Sequence, residues 1–519
     1  MRPDAGPNSV RMTVLHVLSR LRDSRAALWL CAAVCGAATA APFWVGRFLP
    51  LVDLPQHLAV VSVLRHHGDP AWGFAPYFDV EWGELTPYWT YYLATWGLSA
   101  LVSVETASRV FLSAYALALP WGGIALCRAF HVSPWVGLLA AGLALNANLY
   151  YGFVSYCAAV VLMLALLALF ERALVAPSTA GAVALALGGA VLFFTHAQVT
   201  AFFLGSAGVL AATAPSLRWR GRALRAAPLL SAMSLLGVWG FAQFVADRTG
   251  RTGGYDFGRI GNLRAGFRAP MASIAALPDA LAGAFQDGSD TGLLLAWVAL
   301  LALAWSGEAR GPRVPRRRVL LLVALATIAY VAAPLSIMGQ WNIGPRFAWI
   351  AALLLLPAAR AAGRKAVLVG GLATALCVIA GANAAAKHAA FDREVGPLDA
   401  ALDALPRGVR VAPLIFDARG AVLAQWPYVH VGQYAMVRRG GLAAMNLGRV
   451  ACFPIRMRDA RAIPHPDPFR PGDFRFETMG GLYDYYLLKS AGAWRPRLFP
   501  PGTTETVFAS GPWVVLRRR

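Results

Sequence analysis

An acid and a histidine stand close together soon after the first long apolar run of the chain. Asp53 and His57 are four residues apart, with Pro55 between them. If a helix begins near Pro55, Asp53 occupies its N-cap, where backbone N–H groups hold the carboxylate, and His57 follows one turn later. Such a carboxylate can accept a proton from a hydroxyl group or hold a divalent metal beside a phosphate. A simple helix cap explains the same residues, so the spacing alone leaves both interpretations open.

Three further acids follow in the same polar segment. Asp79, Glu81 and Glu84 are interspersed with aromatic residues such as Trp82. Aromatic faces cover the apolar faces of a sugar ring, and carboxylates accept hydrogen bonds from its hydroxyl groups, so this mixture favours sugar binding. A solvated loop with aromatic anchors at a membrane surface has the same composition. The three acids are candidate substrate ligands, and the loop interpretation stays open.

Two polar residues lie at the ends of later apolar runs. His196 stands in a turn between two runs, where a histidine either serves a functional site or satisfies an interhelical hydrogen bond. Arg346 begins another run on the external side, where arginine is uncommon. Its planar guanidinium can bind two phosphate oxygens; the alternative is an arginine that extends towards lipid head groups. Both residues are candidates for substrate binding.

The elements that must position these residues are mostly membrane helices. Hydrophobic residues make up 58% of the 519 and charged residues only 14%, whereas about a quarter of a soluble domain is charged. Many apolar runs approach the ~20 residues that cross a ~30 Å hydrocarbon core. Candidate spans lie near 26–46, 86–104, 108–128, 134–149, 152–171, 179–195, 197–213, 228–246, 291–306, 319–338, 345–362 and 366–386.

Basic residues between these runs set the predicted orientation. Cytoplasmic loops are rich in Lys and Arg, which assigns the N-terminus and the connectors near 218–225, 310–318 and 360–365 to the cytoplasm. If every window crossed the membrane, both chain ends would lie on one side, but the charges put them on opposite sides. We therefore interpret the aromatic-rich window 86–104 as an interfacial segment. The predicted fold is a polytopic α-helical membrane protein with about 11 transmembrane helices, in a range of about 11 to 13, and a C-terminal external α/β domain.

The predicted boundaries divide the chain into three parts. Residues 1–25 form a cytoplasmic N-terminal segment, and 26–386 form the bundle, which includes a large first external loop at 47–107. Residues 387–519 have the patterning of a soluble domain and are long enough to bury a core.

Several features of this last part have specific predictions. Asp392–Leu405 is predicted as an amphipathic helix, Val409–Phe416 as a strand, and Trp513–Leu516 as a closing strand. A polar aromatic cluster there either recognises an acceptor or belongs to an ordinary half-buried surface; its members are Trp426, Tyr428, His430, Tyr434, Arg438 and Arg439.

The formal net charge of +21 does not indicate nucleic-acid binding, because Lys and Arg lie largely in short connectors between apolar runs. The six cysteines show no disulfide framework and no paired Cys-x-x-Cys metal site.

The layout resembles that of the GT-C superfamily of membrane glycosyltransferases. The resemblance lies in the segment 52–58, which contains Asp53 and His57, in the segment 87–93 (Pro-Tyr-Trp-Thr-Tyr-Tyr-Leu), and in the order of the parts: a first membrane helix, a large external loop, a multi-helix bundle and an external C-terminal domain. The resemblance implies an enzyme of a bacterial-type inner membrane. Such an enzyme takes a sugar from a polyprenyl-phosphate donor and passes it to an acceptor on the external face.

The resemblance also implies roles for the candidate residues. Asp53 and His57 become the catalytic pair, in which Asp53 deprotonates the acceptor hydroxyl. A lone Asp53 stands where the family more often has adjacent acids, so use of a divalent metal such as Mg or Mn is left open. The implied substrate-binding residues are Asp79, Glu81, Glu84, His196 and Arg346.

Two other classes of membrane protein remain as alternatives. A secondary transporter usually has repeats and charges near the middle of the membrane, whereas here the charges gather at helix ends. A non-catalytic protein of envelope assembly would bind a partner through its tail. That alternative predicts that Asp53 is dispensable.

Overall fold

Helices form most of the chain between residues 25 and 395. The computed structural model describes residues 24–215, 217–248, 266–306, 313–337, 340–450, 452–460 and 462–519. The helices of this part are α1 (Arg25–Ala40), α2 (Leu54–His66), α3 (Trp89–Leu98), α4 (Val104–Ala129), α5 (Ala147–Tyr150), α6 (Val154–Val175), α7 (Thr179–Thr195), α8 (Ala197–Ala212), α9 (Trp219–Ala226), α10 (Leu230–Arg248), α11 (Pro270–Ala275), α12 (Leu277–Leu281), α13 (Ser289–Trp305), α14 (Arg313–Ala332), α15 (Ile343–Leu354) and α16 (Gly363–Val395), with 3-10 segments at Ala41–Trp44, Pro134–Leu143 and Leu356–Ala358.

Local sequence explains where the long helices begin and end. In α4, the Ser103 side chain accepts a hydrogen bond from the Thr106 N–H (3.1 Å), Glu105 lies in the first turn and Arg128 in the last. These charges match the helix dipole. At α7, the Ser178 hydroxyl caps the helix in the same way. Polar caps therefore interrupt the apolar sequence at the predicted boundaries.

Several helices have the length and composition of membrane spans. Among the described residues, five segments are long and apolar enough to cross a membrane: Arg25–Trp44, Val104–Ala129, Val154–Val175, Trp219–Gln243 and Gly363–Val395. Shorter apolar helices lie at Thr179–Thr195, Ala197–Ala212, Ser289–Trp305 and Ile343–Ala358. The chain is therefore a multi-pass membrane protein. The number of about 11 crossings stays a prediction.

The aromatic-rich window 86–104 contains only the short helix α3. Its ten residues extend about 15 Å, roughly half of the hydrocarbon core. Tyr91 and Tyr92 of α3 are fully buried, and the Tyr91 hydroxyl lies 2.8 Å from the Ser108 hydroxyl of α4. Helix α3 therefore packs against the bundle through its tyrosines.

A buried ion pair joins two helices of the bundle. Arg318, at the start of α14, pairs with Glu171 of α6, and both side chains are 7% exposed. Arg318 also donates to the Thr213 hydroxyl (3.2 Å) and to the Leu210 carbonyl (2.7 Å). The arginines at 316–318 lie in the first turns of α14, and Arg318 faces into the bundle. The predicted basic connector is therefore partly helical. Other basic residues used for the predicted orientation lie outside the described residues: Arg11, Arg20, Arg22 and Arg310.

The C-terminal region contains a mixed five-stranded sheet, whose strands in spatial order are β5 (Leu442–Ala443), β4 (Arg410–Ile415), β7 (Tyr485–Lys489), β9 (Trp513–Arg518) and β8 (Thr504–Ser510). Strand β4 is parallel to β5 and β7, whereas β7–β9 and β8–β9 are antiparallel. The strands predicted at Val409–Phe416 and Trp513–Leu516 correspond to β4 and β9. The elements are α17 (Leu398–Asp403), β4 (Arg410–Ile415), α18 (Tyr434–Arg439), β5 (Leu442–Ala443), α19 (Phe476–Met479), β7 (Tyr485–Lys489), α20 (Arg495–Leu498), β8 (Thr504–Ser510) and β9 (Trp513–Arg518).

The predicted single helix Asp392–Leu405 is wrong. Helix α16 ends at Val395, and Gly396 has a φ of +63°, a conformation that favours glycine. Pro397 then precedes α17. The freed carbonyl of Val395 accepts a hydrogen bond from the Trp513 indole (2.7 Å), which fixes the sheet to the end of α16.

Short strands and ion pairs join the first loop to the C-terminal region. Strand β1 (Phe78–Val80) pairs antiparallel with β6 (Ile455–Met457). Arg438 pairs with Glu105 (2.9 Å) at the start of α4. A third small sheet pairs β2 (Ser336–Ile337) with β3 (Gln340–Trp341), just before α15.

Candidate active site

Asp53 lies where the chain leaves the first membrane helix and α2 begins. The N–H groups of Val52 and Asp53 donate to the carbonyl oxygens of Tyr150 (3.0 Å) and Tyr151 (3.1 Å). The turn after α5 therefore fixes the backbone of Asp53. This contact joins the first loop to the turn between α5 and α6.

The carboxylate of Asp53 does not cap α2, although Asp53 occupies the N-cap position. Its φ and ψ of −88° and −7° are helical, whereas a capping residue is usually extended. Pro55 has no N–H to donate. The expectation that backbone N–H groups hold this carboxylate is therefore wrong. The His57 N–H does donate to the Asp53 carbonyl (3.2 Å), so the one-turn relation between the two residues is confirmed.

A histidine of the C-terminal region approaches the Asp53 carboxylate. His430 Nε2 lies 3.4 Å from Asp53 Oδ1, and His430 Nδ1 lies 3.2 Å from the Gln56 side-chain amide. Gln56 is only 2% exposed. The first turn of α2 therefore carries both Asp53 and Gln56, and Gln56 contacts the same histidine that faces Asp53.

His57 faces a tyrosine of α3. Its Nδ1 lies 2.6 Å from the Tyr92 hydroxyl, and its ring packs near Tyr91 and Phe453. Burial lowers the pKa of His57 to about 4, and the nearby His430 acts in the same direction. His57 is therefore a neutral imidazole at pH 7, which can orient groups by hydrogen bonding.

Arg346 is a buried arginine whose positive charge has no directly bonded carboxylate among the described residues. Its guanidinium lies 4.0 Å from the centre of the Phe153 ring. Its Nη1 faces His196 Nε2 (3.4 Å) and Gln198 Oε1 (3.3 Å), and its Nη2 donates to the Trp341 carbonyl (3.0 Å). The Arg346 Nε has no hydrogen-bond partner in the described part of the chain. A buried cation in such surroundings favours an anionic ligand.

Asp53 and Arg346 influence each other through space. Burial raises the pKa of Asp53 to about 7, and the positive charge of Arg346 opposes the rise. A carboxylate with this pKa is partly protonated at neutral pH and can exchange a proton with a hydroxyl group. The pair therefore combines a candidate base with a candidate anion site.

Aromatic contacts connect the two halves of this site. Tyr88 stacks on Phe453 (5.5 Å between ring centres) and meets His196 edge to face (5.4 Å). Phe453 also lies 6.3 Å from His57. The structure thus brings together four of the predicted site residues: Asp53, His57, His196 and Arg346.

The other three predicted site residues lie in ion pairs with the C-terminal region. Asp79 accepts from Arg458 Nε (2.8 Å). Glu81 and Glu84 both face Arg456, at 2.6 and 3.6 Å. These pairs flank the β1–β6 contact, and the segment before β6 carries Phe453. The ion pairs join this segment to the first loop. Sugar binding by the three acids stays a prediction.

Several residues of the site have no recognisable signal in the sequence. His430 stood in the polar aromatic cluster, but nothing linked it to Asp53, from which it is separated by most of the chain. Gln56 and Tyr92 lie in the segments 52–58 and 87–93 that carry the family resemblance, but no sequence pattern assigns either residue a role. Arg438, another member of the polar aromatic cluster, pairs with Glu105 and Asp399.

The predicted use of a divalent metal is not tested by these residues. In the part of the chain that the structure describes, no three His, Cys, Asp or Glu side chains gather in a group that could hold a metal ion. Asp53 and His430 offer two such groups, and the carboxylate is the donor that Mg²⁺ prefers.

The fold of this chain is similar to that of a solved membrane enzyme. The crystal structure of ArnT from Cupriavidus metallidurans bound to undecaprenyl phosphate aligns with 94% of this chain and 96% of its own, with a TM-score of 0.58 and 11% sequence identity. ArnT is a GT-C glycosyltransferase, so the resemblance seen in the sequence is confirmed as a fold. No protein family and no curated protein matches the sequence itself.

Proposed function

We propose that this protein is a membrane glycosyltransferase that moves a sugar from a polyprenyl-phosphate donor to an acceptor hydroxyl on the external face. The observation that carries the proposal is the relation of Asp53 to Arg346. A carboxyl group with a pKa of about 7 lies near a buried guanidinium that forms no ion pair with a carboxylate among the residues that the structure describes. The shared fold with ArnT supports a polyprenyl-phosphate lipid as the donor carrier.

The phosphate of the donor would bind at Arg346. The guanidinium keeps one N–H unpartnered, and its other contacts are to neutral groups. A phosphate would gain charge-assisted hydrogen bonds there. As the bond between the sugar carbon and the phosphate oxygen breaks, the electron pair passes to that oxygen, and Arg346 stabilises the charge.

Asp53 would act as the general base. The acceptor hydroxyl loses its proton to the free carboxylate oxygen of Asp53 while its oxygen forms the new bond to the anomeric carbon. His57 and His196 are neutral donors or acceptors that orient the reacting groups. Asp79, Glu81 and Glu84 remain proposed ligands of the sugar, and a divalent metal remains open.

The test is transfer of labelled sugar from polyprenyl-phosphate donors in membranes that contain wild-type protein or Asp53→Asn at matched expression. Loss of a general base costs about 10²- to 10⁴-fold. The matched control is Asp69→Asn, because Asp69 lies in the same loop, is exposed and only caps a short turn. Equal transfer by wild type and Asp53→Asn would refute the role of Asp53 but not the enzyme activity. No transfer by wild type from any polyprenyl-phosphate donor would refute the proposed function and favour a transporter or an assembly protein.

A further inference from the structure

We propose that His430 is a positioning residue for Asp53, so that the C-terminal region completes the catalytic centre. This inference rests on the proposed function, because it assigns a partner to the base of that reaction. His430 belongs to the C-terminal region, and its Nε2 lies 3.4 Å from Asp53 Oδ1.

Gln56 determines which nitrogen of His430 carries the proton. The Gln56 amide lies 3.2 Å from His430 Nδ1. Burial lowers the pKa of His430 to about 4, so the ring is neutral at pH 7. With the amide N–H donating to Nδ1, the single ring proton lies on Nε2, the nitrogen that faces Asp53 Oδ1. Gln56 and Asp53 thus contact opposite nitrogens of one imidazole.

This arrangement would fix the orientation of the carboxylate. An N–H directed at Oδ1 leaves the second oxygen of Asp53 free to receive the acceptor proton. The distance of 3.4 Å is longer than an ordinary hydrogen bond. Hydrogen bonds of catalytic groups are often long without substrate and shorten in the reacting complex, so we expect this contact to close when the acceptor binds.

Other titratable groups also face Asp53 and must be separated from His430 in any pH experiment. Arg346 lowers the pKa of Asp53 from the bundle side. His57 follows Asp53 by one turn of α2 and is paired with Tyr92. Neither Arg346 nor His57 belongs to the C-terminal region. A substitution of His430 therefore changes only the contact that Asp53 makes with that region.

The experiment compares wild type, His430→Ala and His430→Gln in the same transfer assay, with kcat, donor KM and the pH profile measured separately. We expect His430→Ala to lower kcat roughly tenfold to a hundredfold, by analogy with the loss found when a group that orients a metal ligand is removed. Donor KM should stay unchanged, because Arg346 binds the phosphate. Loss of the N–H donor to the charged carboxylate should move the acidic limb of the profile to higher pH. His430→Gln keeps an N–H and should restore part of the rate.

Gln56→Leu gives an independent test that leaves His430 in place. It frees Nδ1 and allows the ring proton to move to that nitrogen, so we expect a smaller loss of kcat in the same direction. The matched control is His465→Ala. His465 is another histidine of the C-terminal region, and its Nδ1 faces the Pro466 carbonyl at 2.8 Å.

The outcomes distinguish this inference from the proposed function. If Asp53→Asn is inactive while His430→Ala keeps the wild-type kcat and pH profile, the role of His430 is refuted and the function stands. If His430→Ala unfolds, Gln56→Leu and His430→Gln decide: an unchanged kcat in both refutes the proposal. If wild type transfers no sugar from any polyprenyl-phosphate donor, the proposed function fails and His430 loses its role with it.

Discussion

The α-carbon of Gly152 lies directly against the backbone of Asp53. A Cβ atom at Gly152 would lie 2.5 Å from the Asp53 nitrogen and 3.0 Å from its Cβ, and the φ of Gly152 is +87°. Any side chain at this position is therefore both strained and in collision with the proposed base. The glycine allows the turn after α5 to pack against the start of α2.

Gly152→Ala should displace Asp53 and lower sugar transfer while the protein remains folded. A misplacement of about 1 Å near a reacting group costs about a hundredfold in rate, so we expect a loss of that order in kcat/KM. The matched control is Gly68→Ala in the first loop, where a Cβ would meet no atom within 4 Å. A Gly152→Ala enzyme with wild-type kinetics would contradict this role of the turn.

The rate of transfer should depend on pH through Asp53. The reaction needs the deprotonated carboxylate, and the pKa of Asp53 is raised to about 7. Therefore kcat/KM should rise as pH increases to about 7 and then level, and below that pH it should fall about tenfold per unit. The measurement is initial rate between about pH 5 and 9. If the acidic limb lies instead near the ordinary Asp pKa of about 4, the raised pKa of Asp53 is refuted.

Arg346→Gln should weaken donor binding and shift the pH profile. Removal of the guanidinium takes away a phosphate ligand, so donor KM should rise and kcat should fall. It also removes the positive charge that opposes the raised pKa of Asp53, so the acidic limb should move to higher pH. Arg346→Lys keeps the charge but loses the planar fork, and should leave the limb closer to wild type while donor KM still rises.

The control for Arg346 is Arg360→Gln, because Arg360 is exposed and lies at the far end of the segment that follows α15. If Arg346→Gln changes neither donor KM nor the pH profile, the guanidinium is not the phosphate site. A change in transfer by Arg360→Gln of the same size would point to general destabilisation.

The sequence predicted the helices well because their signals are local. The window 179–195 matches α7, which begins directly after the capping Ser178. The pair of Asp53 and His57 was also local, since four residues separate them. The contact between Gln56 and His430 joins residues 374 positions apart, and no periodicity or cap records such a contact. The interrupted helix at Gly396 is a different kind of error. Gly396 and Pro397 are a local helix-stop signal, and the predicted amphipathic helix continues through them.

The three acids of the first loop offer a test of anchoring against sugar binding. Glu81 pairs with Arg456 at 2.6 Å, and both side chains are partly exposed. Each exposed pair contributes about 0–1 kcal/mol, so Glu81→Arg should lower transfer only about fivefold by repelling Arg456. The double variant Glu81→Arg with Arg456→Glu should recover the rate, because the ion pair is restored with reversed charges.

Sugar binding predicts a different pattern for the same variants. If Glu81 contacts the substrate, the double variant stays as impaired as Glu81→Arg, and Glu81→Gln alone raises the KM for a substrate. Full recovery by the double variant would assign Glu81 to anchoring of the segment that carries Phe453.

Glu171→Gln should destabilise the bundle more than removal of the whole ion pair. The substitution leaves the buried Arg318 without a countercharge, since its other contacts are to a hydroxyl and a carbonyl. Breaking a buried pair from one side costs about 3–5 kcal/mol, whereas replacing both partners by apolar residues is often close to neutral. We therefore expect thermal unfolding in detergent to occur at a lower temperature for Glu171→Gln than for Glu171→Leu with Arg318→Met.

The control is Arg317→Gln, because the neighbouring Arg317 is exposed. Equal unfolding temperatures for Glu171→Gln and wild type would show that water reaches Arg318 and that the charge is not buried.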